Sequence, residues 1–310
     1  MKLLTNYLFL LSVLSGLVFT SCSDDDNDPV DLKDTYLLSE LGVTFSDQVK
    51  RPLFKLAYDT NGELATATYY LYNRGEDADN PTKVELEETT TYKFVRKGSE
   101  IAVTCETTDH DMNDEVTEWV TTLTLNNGYI ISAKSEDSET VSYTWKDGKL
   151  QNVFDYTFTY AGNNVKTAVE ESTDTDGDRI YESKCLYTLT CNTAKANSFS
   201  IIPFELLAAL GDNVDVLVLT LCDNEVEKTV HTDSYAVKNK SDNALIREEK
   251  EDATSDYTYS YNENGLMSSA IVKDTYYYKR TDHQNPANNI EETPDTDSYT
   301  MHFDYIKKSK

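Results

Sequence analysis

The chain has 310 residues and a formal net charge of −27, from 55 Asp and Glu against 28 Lys and Arg. So acidic a surface repels phosphate backbones and anionic bilayers, which excludes nucleic acid as a partner and excludes electrostatic adhesion to a membrane. Hydrophobic residues still make up 39%, enough to build a core, and the 22 Tyr against 10 Phe and 2 Trp favour half-buried pleated sheet.

The first predicted element does not belong to the fold. Lys2 precedes an apolar run over residues 8–19, of signal-peptide length and too short for an ordinary membrane span. Thr20-Ser21-Cys22 follows directly. This arrangement resembles a bacterial lipobox, with Phe19 where the pattern usually has Leu. The resemblance implies that residues 1–21 are a lipoprotein signal peptide and that lipid is attached to the Cys22 thiol. Several acyl chains would hold the protein to a bilayer, at about 0.8 kcal/mol per buried methylene. Residues 22–35 read as an acidic tether. Its Ser23-Asp24-Asp25-Asp26-Asn27-Asp28 run resembles the export signal of Bacteroides-type lipoproteins, which implies the outer face of the outer membrane. A solvated spacer would have the same composition.

Residues 36–310 read as a single antiparallel β domain. Short alternating segments are broken by Asn61-Gly62, Lys97-Gly98, Asn127-Gly128, Asp147-Gly148, Gly162-Asn163 and Asn264-Gly265. Glycine and asparagine supply the positive φ of tight hairpin turns, and the flanking alternation sets strands on either side. The spacing varies, so a solenoid or propeller is excluded and an antiparallel meander, strongly curved or closed as a barrel, is expected. These tyrosine-rich hairpins resemble those of YD-repeat proteins. More closely, they resemble uncharacterised Bacteroides-type surface lipoproteins with a porin-like fold. That resemblance covers most of residues 50–305 and implies a fold without implying catalytic residues. The outward strand faces carry Thr, Lys and Glu, which does not suit hydrocarbon, so an integral membrane barrel is not expected.

One helix is predicted near residues 203–210, with Pro203 at its start and Gly211 at its end, as a short apolar plug of the curved sheet. Residues 214–222 are apolar on both faces and predict a central strand covered on both sides. The cysteines left after lipidation are Cys105, Cys185, Cys191 and Cys222. Cys185 and Cys191 lie too far apart along one strand to bond each other. A Cys191–Cys222 disulfide between neighbouring strands is one expectation, and four buried thiols acting as small hydrophobes is the other.

Chemical motifs are few. The sequence has no phosphate-binding loop, nucleophile elbow or paired-histidine zinc motif. The histidines, His110, His231, His283 and His302, are scattered and read as loop or surface residues. Asp174, Asp176 and Asp178 alternate around Gly177, as calcium loops do, but Arg179 and the missing late glutamate also fit a plain Asp-Gly turn. No other cofactor is indicated. Tyr69 and Tyr70, with Tyr276, Tyr277 and Tyr278, place rings on both strand faces, where they would stack on a ligand or simply cover the sheet. The function expected is non-catalytic binding or display at the cell surface, with a glycan or protein as ligand and the membrane reached through Cys22. A carboxylate-based hydrolase acting on extracellular glycans is the alternative.

Overall fold

The glycine turns read from the sequence close hairpins, and they close them at one end of the molecule. The computed structural model describes residues 36–74, 84–112, 114–136, 138–211 and 214–308; the segments read as signal peptide and acidic tether, with Cys22, lie outside the described residues. The first strands are β1 (Tyr36–Thr44), β2 (Lys50–Tyr58), β3 (Leu64–Arg74), β4 (Val84–Lys97), β5 (Glu100–Asp109) and β6 (Glu115–Asn126). They are followed by β7 (Tyr129–Ser135), β8 (Val141–Ser142), β9 (Thr144–Lys146), β10 (Lys149–Val153), β11 (Tyr156–Ala161) and β12 (Asn164–Asp176). After β13 (Arg179–Ala196) come a 3-10 turn at Ser198–Ile201 and two helices, α1 (Phe204–Leu210) and α2 (Val214–Thr220). The chain ends with β14 (Asn224–Asn239), β15 (Leu245–Tyr261), β16 (Met267–Asp282), β17 (Ile290–Glu291) and β18 (Asp295–Lys307).

Pairing is antiparallel throughout and runs as a ring. From β1 each strand pairs with the next as far as β8, and from β9 the pairing resumes as far as β16. β16 then pairs with β18, which returns to β1. β8 and β9 are one strand broken at Tyr143, whose backbone N–H still reaches the carbonyl of Ile131 across the break. The result is the expected meander in the form of a nearly closed barrel. Its wall is thinnest where β7 meets β8 and β10 meets β11, at two residue pairs each.

The turns after β2, β4, β6, β9, β11 and β15 all lie at the end where β1 begins and β18 finishes. At the turn after β6, Asn127 and Gly128 both have positive φ, 50° and 83°, the pair a primed two-residue turn requires. A Cβ on Gly128 would meet nothing within 4 Å. Gly128→Ala should therefore act through the backbone alone and cost about 1–2 kcal/mol in urea unfolding, with Gly128→Asn milder.

The long connection from β13 to β14 leaves this same end and fills the barrel. α1 packs against β6 and β7, and its Glu205 pairs with Arg96, which also holds Glu63 at 3.1 Å. On the opposite wall Phe199 lies edge-on to Tyr257, Tyr259 and Phe303. The plug helix at 203–210 is thus where the sequence put it. The strand expected over 214–222 is a correction, because that stretch forms α2. Inside a ring whose strands already pair on both sides, a further strand has no partner for its backbone groups. A helix satisfies them internally. Apart from Asp215 it is buried, and apart from Asp215 and Thr220 it is apolar, which is what made it read as a central strand.

Strand alternation sorts the barrel wall cleanly. Tyr187, Leu189, Tyr257, Val272, Met301 and Phe303 point inward and are buried. Lys184, Lys228, Lys250 and Lys273 lie at outward register positions among Thr, Ser and Glu. A transmembrane barrel requires a continuous outward apolar band about 25 Å tall. Here the exposed large hydrophobics are scattered singly, as at Val95, Val116, Ile131 and Ile271.

Candidate functional site

Strands β12 to β16 are longer than most of the others, and their inner faces rise past the plug to form one side of a chamber. Register fixes what lines it. Glu170 pairs with Cys185 and Cys185 with Asp233; Asp233 pairs with Glu251 and Glu251 with Tyr278. One step toward the plug, Tyr187 pairs with His231 and His231 with Ala253, which faces Tyr276. One step toward the mouth lie Ser183, Tyr235, Glu249 and Arg280. Carboxylates and tyrosines, with Arg280 nearer the mouth, therefore share this inner face.

The tightest constellation in it is Cys185, His231 and Asp233. Cys185 Sγ lies 3.1 Å from His231 Nε2, which lies 3.2 Å from Asp233 Oδ1. Among the described residues this is the one group of three or more His, Cys, Asp or Glu whose ligand atoms all fall within 4.8 Å of one another. Tyr187 stacks flat on the imidazole at 4.2 Å and 2°, and Tyr156 donates its hydroxyl to Cys185 Sγ at 3.0 Å. From below, Asp215 in the first turn of α2 hydrogen-bonds Tyr187. The His231 side chain is 11% exposed and that of Asp233 is 44% exposed, so the cluster is walled on the plug side and open toward the mouth.

Electrostatics follow from that placement. Burial favours the neutral imidazole, but the Asp233 hydrogen bond and charge, with Asp215 and Glu251 beyond, outweigh it and raise the His231 pKa. Asp233 answers in the other direction. Burial would raise it, yet His231 and the Cys185 thiol together hold it below the usual carboxylate range. Burial pushes the Cys185 thiol far up. Glu251 is also raised, first by burial and then by neighbouring acids, against the hydrogen bond from Tyr276.

The sequence did not single out His231, which sits here in the chamber wall instead of on a loop. A signal was present: His231 and Asp233 are two apart in an alternating segment, hence on one face. What the sequence could not supply was the pairing that sets Cys185 opposite Asp233. The predicted stacking tyrosines do not form one platform. Tyr69 packs inward on Phe54 at 4.8 Å, whereas Tyr70 lies outside under Lys55. Tyr276 and Tyr278 face in, and Tyr277 faces out to Glu291 at 2.9 Å. Asp174 and Asp176 project inward near the rim while Asp178 lies in the turn, and their carboxylates do not converge as a calcium loop requires. The thiols of Cys191 and Cys222 are in hydrogen-bond contact and unbridged.

A cavity of about 610 Å³ lies elsewhere. It is an open polar hollow lined mainly by outward residues of the same long strands, including Glu171, Glu182, Lys184, Glu248, Lys250 and Lys279. Lys184 there is paired to Glu171 at 2.5 Å, so the hollow offers no unpaired cluster of one sign.

No family model matches the chain, and no curated protein does. Among solved structures it is similar to a porin-like protein from Bacteroides uniformis, at 14% identity and a TM-score of 0.43, over 86% of this chain and 96% of that one. A porin-like protein from Bacteroides vulgatus gives 10% identity and a TM-score of 0.36, over 87% and 99%.

Proposed function

We propose that this chain is a lipid-anchored surface barrel that binds a glycan or protein ligand in its acid- and tyrosine-lined chamber without transforming it. The observation that carries the reading is the inner face of β12 to β16, where rings and carboxylates lie side by side above a packed floor. Carboxylates accept hydrogen bonds from sugar hydroxyls or from cationic side chains, and tyrosine rings stack on the apolar faces of sugars. Two further features support it. The polar outer wall leaves membrane attachment to lipid on Cys22. In addition β1 starts at the plugged end, so the described chain enters the fold away from the mouth.

A glycan and surface-protein array probed with the full chain tests this, alongside Tyr181→Ala/Tyr235→Ala. These two rings sit 6.3 Å apart on the inner face. At about 0.5–1.5 kcal/mol per ring, the double variant should lose about tenfold in affinity for any hit. Undiminished binding by the double variant, or no binding across the array, overturns the chamber reading. Cys22→Ser should release the protein from the membrane fraction, and continued retention would overturn the anchor.

A hydrolase is the second reading, favoured by one observation. Asp233 and Glu251 face each other across β14 and β15, with the first carboxyl held low and the second pushed up. Such a split suits an acid and a base. Asp233 is already committed to His231 and Cys185, which is why binding is placed first.

A further inference from the structure

Hydrogen bonds to Asp233 from His231 Nε2–H and from the Cys185 thiol leave one contact unaccounted for, the 3.1 Å approach of Cys185 Sγ to His231 Nε2. A ring nitrogen carries either one proton or one lone pair, so it serves one partner at a time. Here both Cys185 Sγ, at 3.1 Å, and Asp233 Oδ1, at 3.2 Å, lie within bonding reach of it. The thiol and the carboxylate are also in contact with each other, so sulfur, nitrogen and oxygen form a triangle and not a chain. A single ion at the centre of that triangle would satisfy all three at once. With metal–sulfur near 2.3 Å and metal–nitrogen or –oxygen near 2.0 Å, tetrahedral coordination sets ligand atoms about 3.3–3.6 Å apart, within a small side-chain rotation of what is seen.

The surroundings are those of a supported site. Ring stacking on Tyr187 fixes the imidazole plane, and the Tyr156 hydroxyl donates to the sulfur, a contact that persists once the thiol has lost its proton. Outer partners of this kind hold metal ligands in place. Asp233 and Glu251 keep the local field negative. The donor set selects the ion: thiolate and imidazole suit zinc and its neighbours in the first transition row, whereas calcium and magnesium take oxygen ligands.

We propose that Cys185, His231 and Asp233 bind one zinc-class divalent ion through Sγ, Nε2 and Oδ1, with the fourth position open to the chamber. Binding exchanges the thiol proton for the ion and releases it to solvent; the Nε2 proton that bonds Asp233 must also leave that nitrogen, to solvent from a charged ring or to Nδ1 in a neutral one, and the three metal–ligand bonds are the bonds formed. The site is independent of lipid on Cys22 and of the ligand the chamber takes, and it can fail without affecting either.

The test is to strip the full chain with chelator and titrate it with zinc and with cobalt(II). One ion should bind per chain. The cobalt form should show a sulfur-to-metal charge-transfer band in the near ultraviolet. Cys185→Ser should abolish that band, and His231→Ala should abolish stoichiometric binding. Tyr156→Phe, which leaves all three ligands in place, should weaken zinc by about 10-fold to 100-fold. Asp174→Asn/Asp176→Asn removes nearby acid without touching the ligands and should bind as wild type. The wild-type spectrum does not depend on any variant folding. Absence of the charge-transfer band, binding well below one ion per chain, or equal loss in the Asp174/Asp176 variant would overturn the site.

Discussion

Replacing Asn197 by alanine should destabilise the fold by about 3 kcal/mol or more, at about 1–3 kcal/mol for each of the buried groups left without a partner. Asn197 is 3% exposed and stands where β13 hands over to the plug. Its Nδ2 donates to the carbonyls of Leu219, at 2.6 Å, and Cys222, at 2.8 Å, which closes the C-terminal end of α2. Its Oδ1 accepts from the backbone N–H of Phe199 at 3.0 Å, capping the 3-10 turn. One side chain thus ties the start of the insertion to its end. Alanine would leave two carbonyls and one N–H in a dry interior. Asn197→Asp keeps the shape but cannot donate, so it should be at least as damaging. Equilibrium urea unfolding of both variants checks this; a loss below about 1 kcal/mol in each would mean that the buried groups find other partners.

That residue also marks where reading the sequence stops. Turn chemistry is local, so Asn127-Gly128 and Asp147-Gly148 announced their hairpins without help from the rest of the chain. Alternation is local as well, and it sets residues two apart, such as Tyr187 and Leu189, on one face of their strand. The helix at 204–210 was legible because Pro203 and Gly211 bracket it. α2 was not, since a short, mostly apolar run fits a buried strand as well as a buried helix. Only closure of the ring, built from pairings hundreds of residues apart such as β1 with β18, removes the strand option. The same limit hid the cluster at His231. Its spacing to Asp233 was visible, but Cys185 arrives through the register of β13 on β14. Nothing in the sequence marks out Asn197, because its acceptors lie 22 and 25 positions downstream. The tyrosines were visible as a bias but not as a surface. Alternation divides Tyr276, Tyr277 and Tyr278 between two faces, and only the fold says which face is the chamber.

Phe199→Ala should cost about 3–5 kcal/mol, the range for emptying a buried aromatic site. The ring is 0% exposed and meets Tyr257, Tyr259 and Phe303 edge-on at 6.5, 6.1 and 5.6 Å between centroids. It is the insertion's anchor on the β15–β18 wall, as Glu205 with Arg96 is on the other side. Phe199→Leu fills most of the volume and should cost less, losing mainly the edge-to-face contacts at about 0.5–1.5 kcal/mol each. The damage should also be localised. The ring of strand pairings does not pass through Phe199, so native-state hydrogen exchange should lose protection first over residues 197–222, before β3 to β6. Uniform loss across the barrel would mean instead that the wall cannot hold without its plug. Asn197 and Phe199 are joined by the Oδ1 contact to the Phe199 N–H. Once either is gone, the turn that both maintain is already disordered and the second substitution has less left to remove. The double variant should therefore fall short of the sum of the two by at least about 1 kcal/mol, within the range for residues that share one network. Simple additivity would show that cap and ring stabilise the insertion separately.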